Sequence, residues 1–319
     1  MNDGSPLVSI VTPSYERESF LSRCIASVQA QSHTSIEHIV VDGGSADGTV
    51  DLLRESERRY GTRWISEPDT GMYDAINKGM QMATGSIVAY LNTDDLYFPW
   101  TVSTALAALT SGDDIVFGDA VVIDSARHPR ARVRPQLFPP FDSYYYSYLG
   151  SIPQPTVFMH REVFDSVGQF DGSSFGLIAD CDYWQRCAQA GFTPTKIDEY
   201  MAVMLDHPDT LRATNSVQLA TEFSRLRQGV TAVPTEQAAD GHVRASIRWR
   251  VGQLAALSRE RSHQSLLFGE LSRLGERVNP LLWTLWALAP ERIRPRLTTG
   301  FPSDSVIYRI CEGRSAVAK

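Results

Sequence analysis

Cysteine is scarce: the 319-residue chain has four, Cys24, Cys181, Cys187 and Cys311, and no two form a CxxC pair. That excludes a cysteine-built metal framework and suits a reducing compartment. An excess of positive charge is also missing. The net charge of −7 speaks against broad binding to a polyanion such as nucleic acid. No stretch approaches the ~18 apolar residues of a membrane-spanning helix, and the polar residues 1–6 do not read as a secretory leader. A cytoplasmic protein is the expectation. The absence of a Gly-x-x-x-x-Gly-Lys-Ser/Thr loop excludes a P-loop nucleotidase. There is no internal repeat and no low-complexity tract. What is present, 43% hydrophobic and 21% charged residues, suits a globular protein with one large α/β domain and an appendage.

The first third alternates apolar runs with amphipathic stretches. Residues 7–11 and 36–41 are β-type runs, and Phe20, Cys24, Ile25 and Val28 recur between them at helical spacing. Residues 43–49 form a turn-rich loop that closes on helix-capping residues. The pattern then predicts a helix over about 50–59, a strand over 63–66, a helix marked by Tyr73, Ile76, Asn77 and Met80, and a strand over 87–91. This order predicts a mainly parallel sheet with helices on both faces, whose ligands bind beyond the carboxyl ends of the strands. Residues 129–176 are irregular and rich in Pro, Tyr and Phe, and 180–191 read as a further helix. The expected division is an α/β domain over 1–210 and a mostly helical, Arg-rich extension over 211–319.

Asp42 ends the second predicted strand, and Asp94 and Asp95 follow the fourth. One such aspartate alone reads as a turn former or helix cap. Two strands delivering carboxylates to one rim point instead to a ligand site. Asn92-Thr93-Asp94-Asp95 gathers hard oxygen donors that suit Mg²⁺ or Mn²⁺ and, through the ion, a diphosphate.

Five segments in order carry a resemblance. They are Val8-Ser9-Ile10-Val11-Thr12-Pro13-Ser14-Tyr15; Val40-Val41-Asp42-Gly43-Gly44-Ser45-Ala46-Asp47-Gly48-Thr49; and Ser66-Glu67-Pro68-Asp69-Thr70-Gly71-Met72-Tyr73-Asp74-Ala75-Ile76-Asn77-Lys78-Gly79. The fourth is Ala83-Thr84-Gly85 leading to Leu91-Asn92-Thr93-Asp94-Asp95, and the fifth Phe170-Asp171-Gly172 leading to Ala179-Asp180-Cys181-Asp182-Tyr183-Trp184. Together they resemble the signatures of the inverting GT-A glycosyltransferases of family two, over roughly residues 7–190. The resemblance implies a GT-A (Rossmann-like) fold: a mixed, mainly parallel sheet flanked by helices, with a C-terminal helical extension. It implies metal-dependent, inverting transfer of a sugar from a nucleoside-diphosphate sugar to a hydroxyl acceptor, in glycan, glycolipid or polysaccharide biosynthesis. The acceptor would be a sugar, a lipid-linked molecule or a small molecule.

Roles for residues follow from the same likeness. Tyr15 would stack on the nucleotide base, beside Pro13 and Glu16, and Asp42 would accept a hydrogen bond from the base edge. A carboxylate selects rings that carry an N–H, so uridine is expected first, then thymidine or guanosine, rather than adenosine. Asp94 and Asp95 would bind ribose and metal between them, with Mn²⁺ or Mg²⁺ offsetting charge on the departing diphosphate. Asn92 stands where the family motif has Asp and would be a donor-sugar or phosphate contact. His207 is similar to a late histidine that completes the metal site in some relatives. Asp180 would be the general base for the acceptor hydroxyl, with helix capping as its competing role and Asp182 as the neighbouring carboxylate. Asp74 and Lys78, one helical turn apart, read as an i,i+4 ion pair or as donor-sugar or phosphate contacts. The run Tyr144, Tyr145, Tyr146 and Tyr148 would offer sugar-packing faces, and Arg130, Arg132 and Arg134 a basic loop.

Near the end, Leu281-Leu282-Trp283-Thr284-Leu285-Trp286 is flanked by arginines. That pattern suits a packed helix, a homodimer contact, or a peripheral contact at the inner face of the membrane. Two rival functions are a sugar-phosphate nucleotidyltransferase and a non-catalytic nucleotide-binding relative. The first calls for a Gly-rich basic loop after the first strand, where this chain has Thr12-Pro13-Ser14-Tyr15-Glu16-Arg17. The second would be expected to lack the metal or base carboxylates.

Overall fold

A computed structural model of the chain describes residues 5–124, 133–136 and 152–228. Arg130, Arg132, the tyrosine run, Cys311 and the tryptophan-bearing tail lie outside them, as does any membrane or dimer contact of that tail. The chain begins with β1 (Val8–Ser14), α1 (Glu18–Gln29), β2 (Ile36–Asp42), α2 (Thr49–Tyr60), β3 (Arg63–Ser66), α3 (Met72–Met82) and β4 (Ile87–Tyr90). It continues through β5 (Asp95–Tyr97), α4 (Thr101–Leu109), β6 (Ile115–Asp124), β7 (Val133–Gln136), a single 3₁₀ turn (Gln154–Thr156) and β8 (Phe158–His160). The last described elements are α5 (Arg161–Val167), α6 (Ala179–Gln189), β9 (Thr195–Asp206), α7 (Leu211–Thr214) and α8 (Ser216–Gln228).

Among the described residues nine strands form one sheet in the order β3-β2-β1-β4-β8-β6-β9-β5, with β7 paired to β6. Strands β1 to β4 pair in parallel, and β6 is parallel to β9. The remaining three, β5, β7 and β8, run antiparallel to their neighbours. The mixed, mainly parallel sheet matches the expectation. Its central strands β1 and β4 are buried along their whole length, and β4 is correspondingly apolar throughout. The chain moves outward from β1 to β2 and β3, then returns to place β4 on the other side of β1. Strand order therefore reverses between β1 and β4, and ligands of open α/β sheets bind at such a reversal.

One core lies under α3, α5 and α6, with Tyr73, Ile76, Met80, Phe170, Tyr183 and Trp184; another lies under α1 and α4, with Cys24, Val28, Val102 and Leu109. Helix α3 approaches β1 so closely that a Cβ on Gly79 would stand 2.3 Å from Val11 Cγ1. Glycine is needed there for space.

Packing among the described residues continues past the expected boundary at residue 210. Helix α8 places Leu226, Leu219 and Phe223 on the same core as α3 and α6. Buried Glu222 accepts hydrogen bonds from the Leu177 and Ile178 N–H groups at 2.9 and 3.2 Å, satisfying donors at the start of α6. Arg225 donates to Ser174 O at 2.7 Å. Residues 211–228 thus pack as part of the α/β domain. Among the described residues no helix is long and apolar enough to cross a membrane.

Candidate active site

Because β1, β2, β3, β4 and β9 point the same way, their carboxyl ends Ser14, Asp42, Ser66, Tyr90 and Asp206 share one edge of the sheet. Three groups of expected site residues sit along it.

The first is the pair of loops after β1 and β2. Glu16 N–H donates to Ser45 Oγ and Ala46 N–H donates to Glu16 Oε1, both at 2.7 Å. Asp47 accepts from Glu18 N–H at 3.1 Å and Thr49 N–H at 2.9 Å. Glu16 is held at φ 52°, a left-handed conformation that these contacts sustain. Asp42 is fully buried: its Oδ1 accepts from Ser45 Oγ at 2.5 Å, and its Oδ2 accepts from Gly44 N, Ser45 N and Ser66 Oγ at 3.2, 2.9 and 2.6 Å. The loop itself, not an open ligand face, occupies the carboxylate expected to meet the base. Pro13 is buried in β1 opposite Val41. Tyr15, by contrast, is 62% exposed, so its ring face is open for stacking.

The second group joins the ends of β4 and β9. His207 Nε2 lies 3.2 Å from Asp94 Oδ2, across 113 residues of sequence. The imidazole is buried, stacked on Phe20 with ring centroids 4.9 Å apart, and its Nδ1 has no hydrogen-bond partner. Asp94 is partly exposed. Its neighbour Asp95 is buried at the start of β5, where its charge acts on Cys24 and Tyr97. Asn92 donates to Gln154 Oε1 at 3.3 Å, and its buried Oδ1 has no partner.

The third group surrounds Asp180. Helix α6 starts at Ala179 with Ile178 as its N-cap, so Asp180 lies in the first turn and is not the cap. Its buried carboxylate accepts a hydrogen bond from the Tyr73 hydroxyl at 2.9 Å. Burial and the adjacent Asp180 charge push the Tyr73 phenol far above its ordinary range, so it stays a donor at any working pH. One turn along α3, Asn77 clamps the Phe170 backbone, donating to its O at 2.9 Å and accepting from its N–H at 3.0 Å. Gly172 allows this approach, since a Cβ there would stand 2.9 Å from Tyr73 Cβ. Asp182, the alternative carboxylate, is ion-paired to Arg186 at 2.7 Å.

Residues 9–168, about half of the chain, match the family described as glycosyl transferase family 2. The chain belongs to that family. A PGL/p-HBAD biosynthesis glycosyltransferase of Mycobacterium tuberculosis is 29% identical over 206 residues, covering 63% of this chain and 76% of the relative. A second, uncharacterized glycosyltransferase of Mycobacterium tuberculosis is 33% identical over 193 residues, covering 58% and 70%. Among solved structures, the mannosyltransferase PcManGT of Pyrobaculum calidifontis superposes with TM-score 0.56 at 18% identity, covering 93% of this chain and 85% of that one. That likeness shows the shared fold.

In this glycosyltransferase Asp74 and Lys78 hold a loop. Lys78 pairs with Glu67 at 3.0 Å and Asp74 at 3.5 Å, and Asp74 accepts from Thr70 N–H at 3.1 Å. The Thr70 hydrogen bond, opposed by slight burial and aided by Lys78, lowers the Asp74 carboxyl below its ordinary range. A cavity of about 230 Å³ lies at the opposite end of β2, lined by Gln31, His33, His38 and Thr62, away from the carboxylate rim. Tyr73 and Asn77 were legible only as helix-core residues. Their i,i+4 spacing is the signal that both face one partner segment.

Proposed function

We propose that this family 2 glycosyltransferase transfers a sugar from a nucleoside-diphosphate donor to a hydroxyl acceptor with inversion. In this reading Asp94 and His207 hold a divalent ion and Asp180 is the base. The observation that carries the reading is the meeting of Asp94 and His207 at the sheet edge from two distant strands. A hard carboxylate 3.2 Å from the Nε2 of a buried imidazole fits a Mn²⁺ or Mg²⁺ site. Among the described residues no third His, Cys, Asp or Glu joins them, which suits an ion completed by substrate phosphates and water. When bound, such an ion offsets charge on the leaving diphosphate. PcManGT, which shares the fold, was solved with GDP-Man and Mn²⁺, and that supports a nucleotide-sugar donor here.

Asp180 receives the acceptor hydroxyl's proton as the oxygen attacks the anomeric carbon. The Tyr73 hydroxyl holds one carboxylate oxygen and orients the other. Tyr15 supplies the stacking face, and the interlocked loops of Glu16 and Asp42 keep that face in place. Buried Asp95 shapes the turn that presents Asp94. The test is a screen of nucleotide-sugars with Mn²⁺ or Mg²⁺, read by diphosphate release and by proton NMR of the product. Turnover that EDTA abolishes, with inverted configuration, is expected. Retained configuration or metal-independent turnover would overturn the reading.

A further inference from the structure

We infer that Asp69, rather than Asp42, reads the nucleotide base, and that it selects uracil; this rests on the nucleotide-sugar reading above. Asp69 lies in the loop between β3 and α3 and is partly buried. Its Oδ1 accepts from Gly71 N–H at 2.9 Å, and no donor among the described residues reaches its Oδ2. A Cβ placed on Gly43 would stand 2.8 Å from that Oδ2 and 3.2 Å from Tyr15 Cδ2. The open carboxylate oxygen and the exposed stacking ring therefore meet above one residue that has no side chain. Gly43 is not among the glycines with positive φ, so its backbone does not call for glycine. The neighbours do.

The loop carrying Asp69 is fixed on both sides. Lys78 pairs with Glu67 before it, and Asp74 accepts from Thr70 N–H after it. Asp74 and Lys78 thus act on the donor through Asp69, as positioning residues. A base stacked on Tyr15 turns its edge toward Asp69 Oδ2. Uracil offers a single ring N–H, which one open oxygen accepts. Guanine offers two adjacent donors, and seating both calls on Oδ1 to accept a second bond beside the one from Gly71 N–H. Cytosine and adenine would point a ring-nitrogen lone pair at the carboxylate.

Calorimetry of UDP, CDP and GDP with Mn²⁺, on the full chain and its Asp69→Asn and Gly43→Ala variants, tests this. The wild type should bind UDP tightest. Asp69→Asn keeps an acceptor for Gly71 and should keep the wild-type melting temperature, while UDP affinity falls about 10- to 100-fold. Its preference for UDP over CDP should shrink, because an amide both donates and accepts. Gly43→Ala should act likewise by displacing the Asp69 carboxylate. Wild-type preference for GDP over UDP overturns the uracil assignment, and an Asp69→Asn variant with unchanged UDP affinity and preference overturns the inference alone. A wild type that binds none of the three diphosphates removes the nucleotide reading as well.

Discussion

The corner over β1 and β2 and the corner over β4 and β9 both carry carboxylates at the same sheet edge, yet they use them differently. In the first, Asp42 and Asp47 each take several donors from neighbouring loop residues, and Glu16 is tied to the facing loop. In the second, Asp94 is partly exposed, and buried polar atoms of Asn92 and His207 have no partner. Buried polar groups are normally paired, so the second corner has capacity that a ligand would fill. The density of a sequence motif and its contact with ligand are therefore separate properties. The corner with the longer signature is tied together by its own loops, and in the proposed function the sparser one holds the metal.

The largest effect expected lies beside the second corner. Asp180→Asn keeps size and hydrogen bonding to Tyr73 while removing basicity. Transfer should fall roughly 10²–10⁴-fold, with melting temperature and nucleotide affinity close to wild type. If single-turnover kinetics show Asp182→Asn losing this much instead, the base is misplaced. Tyr73→Phe should lower kcat by about tenfold with KM little changed, because one hydrogen bond to a charged group is lost.

Next, Asp94→Asn or His207→Ala should reduce turnover by roughly 10²-fold or more, since several kcal/mol of leaving-group stabilisation depends on the ion. Raising Mn²⁺ concentration should restore part of it. If neither variant changes the metal requirement, the second corner is not the metal site and the contrast collapses.

A buried group below the rim sharpens the comparison through pH. Burial lowers the His38 imidazole from 6.5 to about 4, and its Nδ1 has no partner. The fold holds it neutral, so above pH 6.5 neither folded nor unfolded chain carries the proton and its contribution is complete. As pH falls from 6.5 to 4 the unfolded state takes up the proton first, and stability declines by about 3 kcal/mol in all. Urea unfolding across this window should show that slope, and His38→Gln should flatten it. An unchanged slope in His38→Gln would assign the effect to other groups.

Asp42→Asn should leave binding nearly unchanged, and its effect should fall on stability. Weakening a buried carboxylate that holds four donors is expected to lower unfolding free energy by about 2 kcal/mol, with UDP affinity of the folded protein within about threefold of wild type. Normal stability with lost UDP binding would return the base-reading role to Asp42.

Local periodicity was enough to place β1 to β4 and α1 to α3, because alternating apolar runs, helical spacing and turn residues are short-range signals. It also placed Asp42 and Asp94 at strand ends and Asp180 at a helix start. It could not show that β8 inserts antiparallel between β4 and β6, or that β9 joins β6 and β5, because strand pairing is set by contacts distant in sequence. Nor could it tell Asp94 from Asp95. Adjacent residues at the start of a strand face opposite ways, and only the fold decides that one meets His207 and the other the core. Tyr73 reaches Asp180 across 107 residues, and Asp69 meets Tyr15 above Gly43 through three separate loops. The sequence by itself determined which chemical groups stand at the sheet edge. Tertiary structure decided how far each is held by neighbours, because every partner within the fold takes up a lone pair that a ligand could otherwise use.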